Sequence, residues 1–112
     1  MNTWRFYGNV GSPATETMSH GKKIINFTVA INRGYYNAQG EWVERVQWLR
    51  VAKFYPLEAD LTRVQSKVKV GSVVMVDGDP TASGYTDREG KPAASLEVMA
   101  LSFRVIKEAE AK

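Results

Sequence analysis

From Lys23 to Asn32 the chain alternates strictly, with Ile25, Phe27, Val29 and Ile31 on one parity and Asn26, Thr28, Ala30 and Asn32 on the other. A period of two marks an extended strand with one buried and one exposed face. It excludes a helix here, and it obliges the rest of the chain to supply partner strands for the backbone hydrogen bonds. The same period returns over Thr3–Val10, where Trp4, Phe6 and Gly8 alternate with Arg5, Tyr7 and Asn9 until Gly11-Ser12-Pro13 stops the strand. It returns again over Ser72–Asp79, with Val74 and Val76 set against Val73, Met75 and Asp77, and over a long segment from Ala94 to Ile106.

A further strand, running from Gln47 through Phe54, has one unusual face. Leu49 and Val51 share a side that reads as ordinary core. Trp48, Arg50, Ala52 and Phe54 share the other, where two large aromatics flank an arginine with a small residue between. Such a face packs poorly against other side chains. It suits a flat, negatively charged ligand, because bases stack on aromatic rings and guanidinium pairs with phosphate.

The connections carry fewer signals. Arg33–Gln47 places Tyr35, Tyr36, Trp42 and Val43 around Asn37-Ala38-Gln39-Gly40, the pattern of a projecting hairpin. There Trp42 serves either to stiffen the ribbon by cross-strand pairing or to contact a ligand. Tyr55-Pro56 ends the preceding strand, and Leu57, Leu61, Val64 and Val68 then recur at helical spacing through Lys69, predicting one amphipathic helix whose Arg63, Lys67 and Lys69 face solvent. Ala14–Lys23 is expected to be a loop or a frayed strand extension. Pro80–Pro92 is expected to be a long loop carrying Tyr85 and the turn Asp87-Arg88-Glu89-Gly90.

Composition narrows the chemistry. The 112 residues contain no cysteine and one histidine, His20, set among Ser19, Gly21, Lys22 and Lys23 in a polar turn. Disulfides, thiol catalysis and zinc–thiolate sites are thereby excluded, and a nucleophile–histidine–carboxylate arrangement has only a loop histidine to use. Asp77-Gly78-Asp79 is the one arrangement resembling a metal pair, and before Pro80 it reads as a turn. No enzyme and no cofactor is expected. Net charge is +3, a balance compatible with a polyanionic ligand. No apolar run approaches the ~20 residues that span a bilayer, and the N-terminus does not have the pattern of a secretory signal, so a cytoplasmic location is expected.

Three strands, a helix and two strands, in a chain of this length, match an all-β architecture with one helix: the OB-fold, a five-stranded Greek-key barrel with a helix between strands three and four. In that fold the ligand face uses strands two and three and the loops joining one to two and four to five. Trp48–Phe54 is then the third strand, and Tyr35 and Tyr85 fall beside the same face. Residues 1–106 form the expected domain, and 107–112 a short charged end.

Four segments carry a more specific likeness: Gly8-Asn9-Val10-Gly11, Asn26-Phe27-Thr28-Val29-Ala30, Gln47-Trp48-Leu49-Arg50-Val51, and Val70 through Gly78. In this order and at these spacings the chain resembles the bacterial single-stranded DNA-binding protein family from Asn2 to about Val105. The resemblance implies sequence-independent binding of single-stranded DNA in replication, recombination or repair. It places Trp48 and Phe54 at base-stacking positions and Tyr35 and Tyr85 where the family usually has tryptophan. Arg5, Arg33, Arg50, Lys53 and Arg88 become candidate phosphate partners, and Trp42 a further candidate contact. A homotetramer is implied, with a dimer as the second choice.

The chain departs from the family at Leu49, where histidine is usual, and at Tyr55-Pro56, where glycine and lysine are. It stops at Ala109-Glu110-Ala111-Lys112, without the acidic tip through which family members recruit replication enzymes, so recruitment by that route is not expected if this is the natural length. The competing expectation is a primosomal or assembly factor that shares the fold and uses the same face for protein contacts or RNA.

Overall fold

A computed structural model describes residues 3–86, 88–90 and 92–108, with side chains for all of these except 83–86 and 92–95. The elements in chain order are β1 (Trp4–Val10), β2 (Thr15–Ser19), β3 (Lys22–Asn32), β4 (Tyr35–Tyr36), β5 (Trp42–Val43), β6 (Val46–Pro56), α1 (Thr62–Lys67), β7 (Val73–Thr86) and β8 (Pro92–Lys107). The main sheet runs β1-β7-β8-β6-β3-β2. It closes on itself because β1 also meets β3, with Asn9 opposite Ala30 and Val10 opposite Val29. The closed barrel therefore comprises β1, β7, β8, β6 and β3, with the β6–β8 pair parallel and the other pairs antiparallel. This is the expected OB-fold, with α1 between its third and fourth barrel strands.

The alternation seen in the sequence sorts side chains as anticipated. Ile25, Phe27 and Val29 from β3, Leu49 and Val51 from β6, Val74 and Val76 from β7 and Val98 and Ala100 from β8 fill the barrel, with Leu61 and Val68 closing one part of it. Phe27 meets Phe103 edge-on at 5.1 Å. Ser72, fully buried, donates through its hydroxyl to Lys67 O at 3.1 Å and accepts at its carbonyl from Val10 N at 2.8 Å. The end of α1 is thereby tied to both β1 and β7.

One open alternative is decided and two expectations are corrected. Of loop or strand for Ala14–Lys23, residues 15–19 form a strand, paired with β3 through a turn in which His20 (φ 50°) and Gly21 (φ 74°) are both left-handed. That is the geometry of a tight two-residue hairpin, and histidine tolerates the left-handed region better than most residues. The helix is shorter than Leu57–Lys69, because Pro56 still belongs to β6 and α1 begins only after Asp60, whose carboxylate accepts from the Thr62 amide and hydroxyl. Those two hydrogen bonds also hold the Asp60 carboxyl below the ordinary carboxylate range. Finally, most of the expected Pro80–Pro92 loop is ribbon, since β7 and β8 stay paired from Asp79–Met99 out to Thr86–Pro92. Beyond Gly78, β7 has left its β1 neighbour, and an edge strand accommodates Pro80 without a lost ladder bond.

Candidate nucleic-acid interface

The outward face of β6 is built by parity alone. Leu49 and Val51 are 1% and 2% exposed, whereas Trp48 is 55% exposed and the Arg50 side chain 72%. Across the sheet, β3 and β8 extend this face in rows: Ala30 beside Trp48, Thr28 beside Arg50 beside Glu97, Asn26 beside Ala52 beside Met99, and Ile24 beside Phe54. A groove of about 550 Å³ lies over the two middle rows, Thr28–Arg50–Glu97 and Asn26–Ala52–Met99, with Ser12 also among its lining residues.

The groove is braced at one end by the loop after β1. Thr28 donates to Ser12 Oγ through its amide at 3.0 Å and its hydroxyl at 2.9 Å, and Gly11 N donates to Thr28 O at 2.9 Å. The loop is thus drawn against β3, and Gly11 comes to rest against the Trp48 ring so closely that a Cβ there would collide with it. Trp48 is exposed yet seated. Gly34 supports the Trp42 ring in the same way.

The remaining sequence candidates lie outside the residues that line this groove. Tyr35 and Tyr36 pair with Val43 and Trp42 in the β4–β5 ribbon, so the expected hairpin and its cross-strand pairing are present. Trp42 meets Tyr36 edge-on at 5.0 Å and donates from Nε1 to Glu44 Oε1 at 3.0 Å, while Tyr35 points to the other side of the ribbon. Arg33 stands exposed at the ribbon's neck, its amide donating to Arg45 O at 2.7 Å. Arg88 is exposed in the turn between β7 and β8. Tyr85 lies on β7 opposite Ala93, and its side chain is outside the described part of the structure.

Arg5 and Lys53 are not brought to the groove. Arg5 reaches across to β7, where Nε and Nη2 bond the two oxygens of Asp77 at 2.8 and 3.3 Å. The hydrogen bonds raise the arginine pKa further and hold the Asp77 carboxyl below its usual range. The turn expected at Asp77-Gly78-Asp79 is corrected here too: these residues lie inside β7, paired with Ser102, Ala100 and Met99 of β8, and Asp77 is held by Arg5. Lys53 shares the parity of Leu49 and Val51. It is half-buried, with its amine 4.5 Å from the centre of the Tyr55 ring.

Sequence reasoning missed Glu97, the one carboxylate among the described residues that line the groove, whose Oε1 lies 4.0 Å from Arg50 Nη1. The signal was present, because Glu97, Met99 and Leu101 alternate with the buried Val98 and Ala100. Ser12 and the seat at Gly11 were missed as well. They depend on contacts between distant segments.

An OB barrel that turns a seated indole outward from its third strand, beside a guanidinium that lines an open groove, has the architecture of oligonucleotide-binding modules. The model of the Single-strand binding protein family matches residues 1–106, and this chain belongs to that family. The mitochondrial single-stranded DNA-binding protein of Drosophila melanogaster is 31% identical over 100 residues, covering 89% of this chain and 67% of that protein. Single-stranded DNA-binding protein 1 of Staphylococcus aureus is 30% identical over 94 residues, covering 84% of this chain and 57% of that protein. This chain therefore spans somewhat more than half of the staphylococcal relative and about two thirds of the fly one.

Among solved structures, the small single-stranded DNA-binding protein of Streptomyces coelicolor superposes with a TM-score of 0.71 at 19% identity, covering 93% of each chain. The Plasmodium falciparum protein, solved with single-stranded DNA, does so with 0.67 at 18% identity, over 97% of this chain and 96% of that one. Among the described residues of the present chain, no helix is long and apolar enough to cross a membrane.

Proposed function

We propose that this chain binds single-stranded DNA without sequence preference, stacking bases on Trp48, Phe54 and the tyrosines of the ribbons while Arg50 and neighbouring cations take up phosphate. One observation carries the reading: on β6 an exposed, glycine-seated Trp48 and an exposed Arg50 alternate with fully buried Leu49 and Val51, and Arg50 lines an open groove. The names of its relatives point the same way. Stacking is worth on the order of 1 to 3 kcal/mol per base and tolerates any base, and it requires no covalent step. Binding alone, with no catalysis, is therefore the proposed activity, in the service of replication, recombination or repair in the cytoplasm. A single OB barrel covers few nucleotides, which favours assembly into a homotetramer, with a dimer as the smaller alternative. Residues 1–106 are proposed as the binding domain, with 107–112 as a charged end.

Titrating the intrinsic tryptophan fluorescence with oligo-dT at two salt concentrations tests this. Strong quenching that weakens as salt rises is expected, because neutralised phosphates release counterions. Absence of quenching, or an equal response to duplex DNA, overturns the proposal. Sedimentation equilibrium reads the assembly, and a monomer at every concentration removes the oligomer from it.

A further inference from the structure

A carboxylate in a groove that takes a polyanion costs affinity unless something donates to it, and Glu97 is such a carboxylate. It lies directly beside Arg50 in the sheet, yet its Oε1 is 4.0 Å from Nη1, beyond hydrogen-bonding reach. Both side chains are open to solvent, at 72% for Arg50 and 48% for Glu97. Their polar neighbours in the two rows are already engaged: Thr28 donates to Ser12 Oγ, and Asn26 donates from Nδ2 to Thr17 Oγ1 at 3.0 Å. Ala52 and the exposed Met99 add apolar surface alongside. Among the described lining residues, Arg50 is the one cation and Glu97 the one anion.

The donors that Glu97 needs are not in a DNA backbone. Within a strand, phosphate and deoxyribose oxygens only accept, and the N–H groups belong to the bases. Every amino-bearing base has a Watson–Crick edge that the Arg50–Glu97 pair completes. In cytosine the 4-amino group donates to the carboxylate while N3 and O2 accept from the guanidinium; adenine offers N6 and N1 in the same way. Guanine gives N1–H and N2–H to the carboxylate and O6 to the guanidinium. Thymine fits less well. Its single donor, N3–H, is flanked by O2 and O4, so a carboxylate accepting from it is pressed against a carbonyl, and one guanidinium relieves only one of the two. We propose that Glu97 makes the groove selective for amino-bearing bases. The base next to the one stacked on Trp48 lies over Ala52 and Met99 and turns its Watson–Crick edge to Arg50 and Glu97. This inference rests on the single-strand binding reading above; it leaves the stacking contacts indifferent to base and adds a preference at one position.

The test compares oligo-dC with oligo-dU of equal length on the intact chain, Glu97→Gln and Glu97→Ala, by tryptophan quenching at two salt concentrations. Neither pyrimidine carries thymine's methyl group, so the contrast isolates the base edge. The intact chain is expected to bind oligo-dC roughly fivefold more tightly, the scale of one net hydrogen bond. Raising the salt weakens both and keeps their ratio, because the phosphate contacts are common to the two. In Glu97→Gln the ratio falls to within about twofold, since an amide side chain accepts or donates according to its rotamer. Glu97→Ala, which has no acceptor, loses the preference too. Circular dichroism checks that both variants keep the fold. Equal affinity of the intact chain for the two oligomers, or a preference that survives either substitution, overturns the inference. If the intact chain is quenched by neither oligomer, the single-strand binding reading itself fails and the selectivity falls with it.

Discussion

Two outward-facing arginines, Arg5 on β1 and Arg50 on β6, sit on strands of the same barrel that do not pair with each other. Arg5 is held by both oxygens of Asp77, with its shorter contact at 2.8 Å, whereas Arg50 stands 4.0 Å from Glu97 and has a side chain 72% exposed. A bidentate pair has already used the planar fork that would otherwise grip a phosphate, while a loose pair leaves that fork open to exchange. The surroundings differ in step. Beside Arg50 lie a seated tryptophan and a groove; Arg5 lies in the row of Asp77 and Ser102, outside that groove. The same residue type is a clasp between strands in one place and an available ligand contact in the other.

The largest expected effect concerns what accompanies Arg50. Replacing Trp48 with Ala should weaken oligo-dT binding by about 1 to 3 kcal/mol while leaving its salt slope unchanged, as measured by anisotropy of a labelled oligomer. Unaltered affinity would place the site elsewhere. Next comes the arginine pair itself. Arg50→Ala should make the salt slope shallower by about 0.7, and Arg5→Ala should leave it as it was. Equal slopes for the two variants would break the distinction. A smaller effect, of opposite sign, is expected from Glu97→Gln: removing the competing carboxylate should tighten binding about threefold at low salt, the scale of one exposed ion pair.

The smallest effect is on pH. Asp77 has its folded pKa lowered from 3.8, so its stabilising contribution is fully present above that value and is lost as pH falls through the lower folded value. Acid unfolding followed by circular dichroism should therefore be less steep in Asp77→Asn below about pH 4.

Much of this was legible in the sequence, and the reason is parity. Wherever a strand buries one face, as in β3 and β6, the alternation of side chains reveals both the core and the surface opposite it. Residues 15–19 were left between loop and strand because four of the five side chains in β2 are exposed, leaving no apolar alternation to decide it. The Pro80–Pro92 ribbon escaped because prolines and glycines usually interrupt strands, and only the three-dimensional fact that β7 has become an edge makes them harmless there. Leu57 fits a helical period with Leu61 yet is exposed in a turn, since a period of apolar residues does not show where a helix begins. Charges were the least legible. That Arg5 is basic is plain, but its partner is 72 residues away, and only the closed sheet shows that this guanidinium is already occupied.

The alternation along β6 also limits how such a protein can change. Because Trp48 and Arg50 are interleaved with Leu49 and Val51, core and interface share one reading frame. An insertion or deletion of one residue within the strand would turn the indole inward and a leucine outward, costing the fold and the interface in a single event. Substitutions at the outward positions carry no such penalty. A lineage of these chains is thus free to retune its surface one side chain at a time, while length variation is channelled into places such as the β4–β5 turn, where no frame is shared.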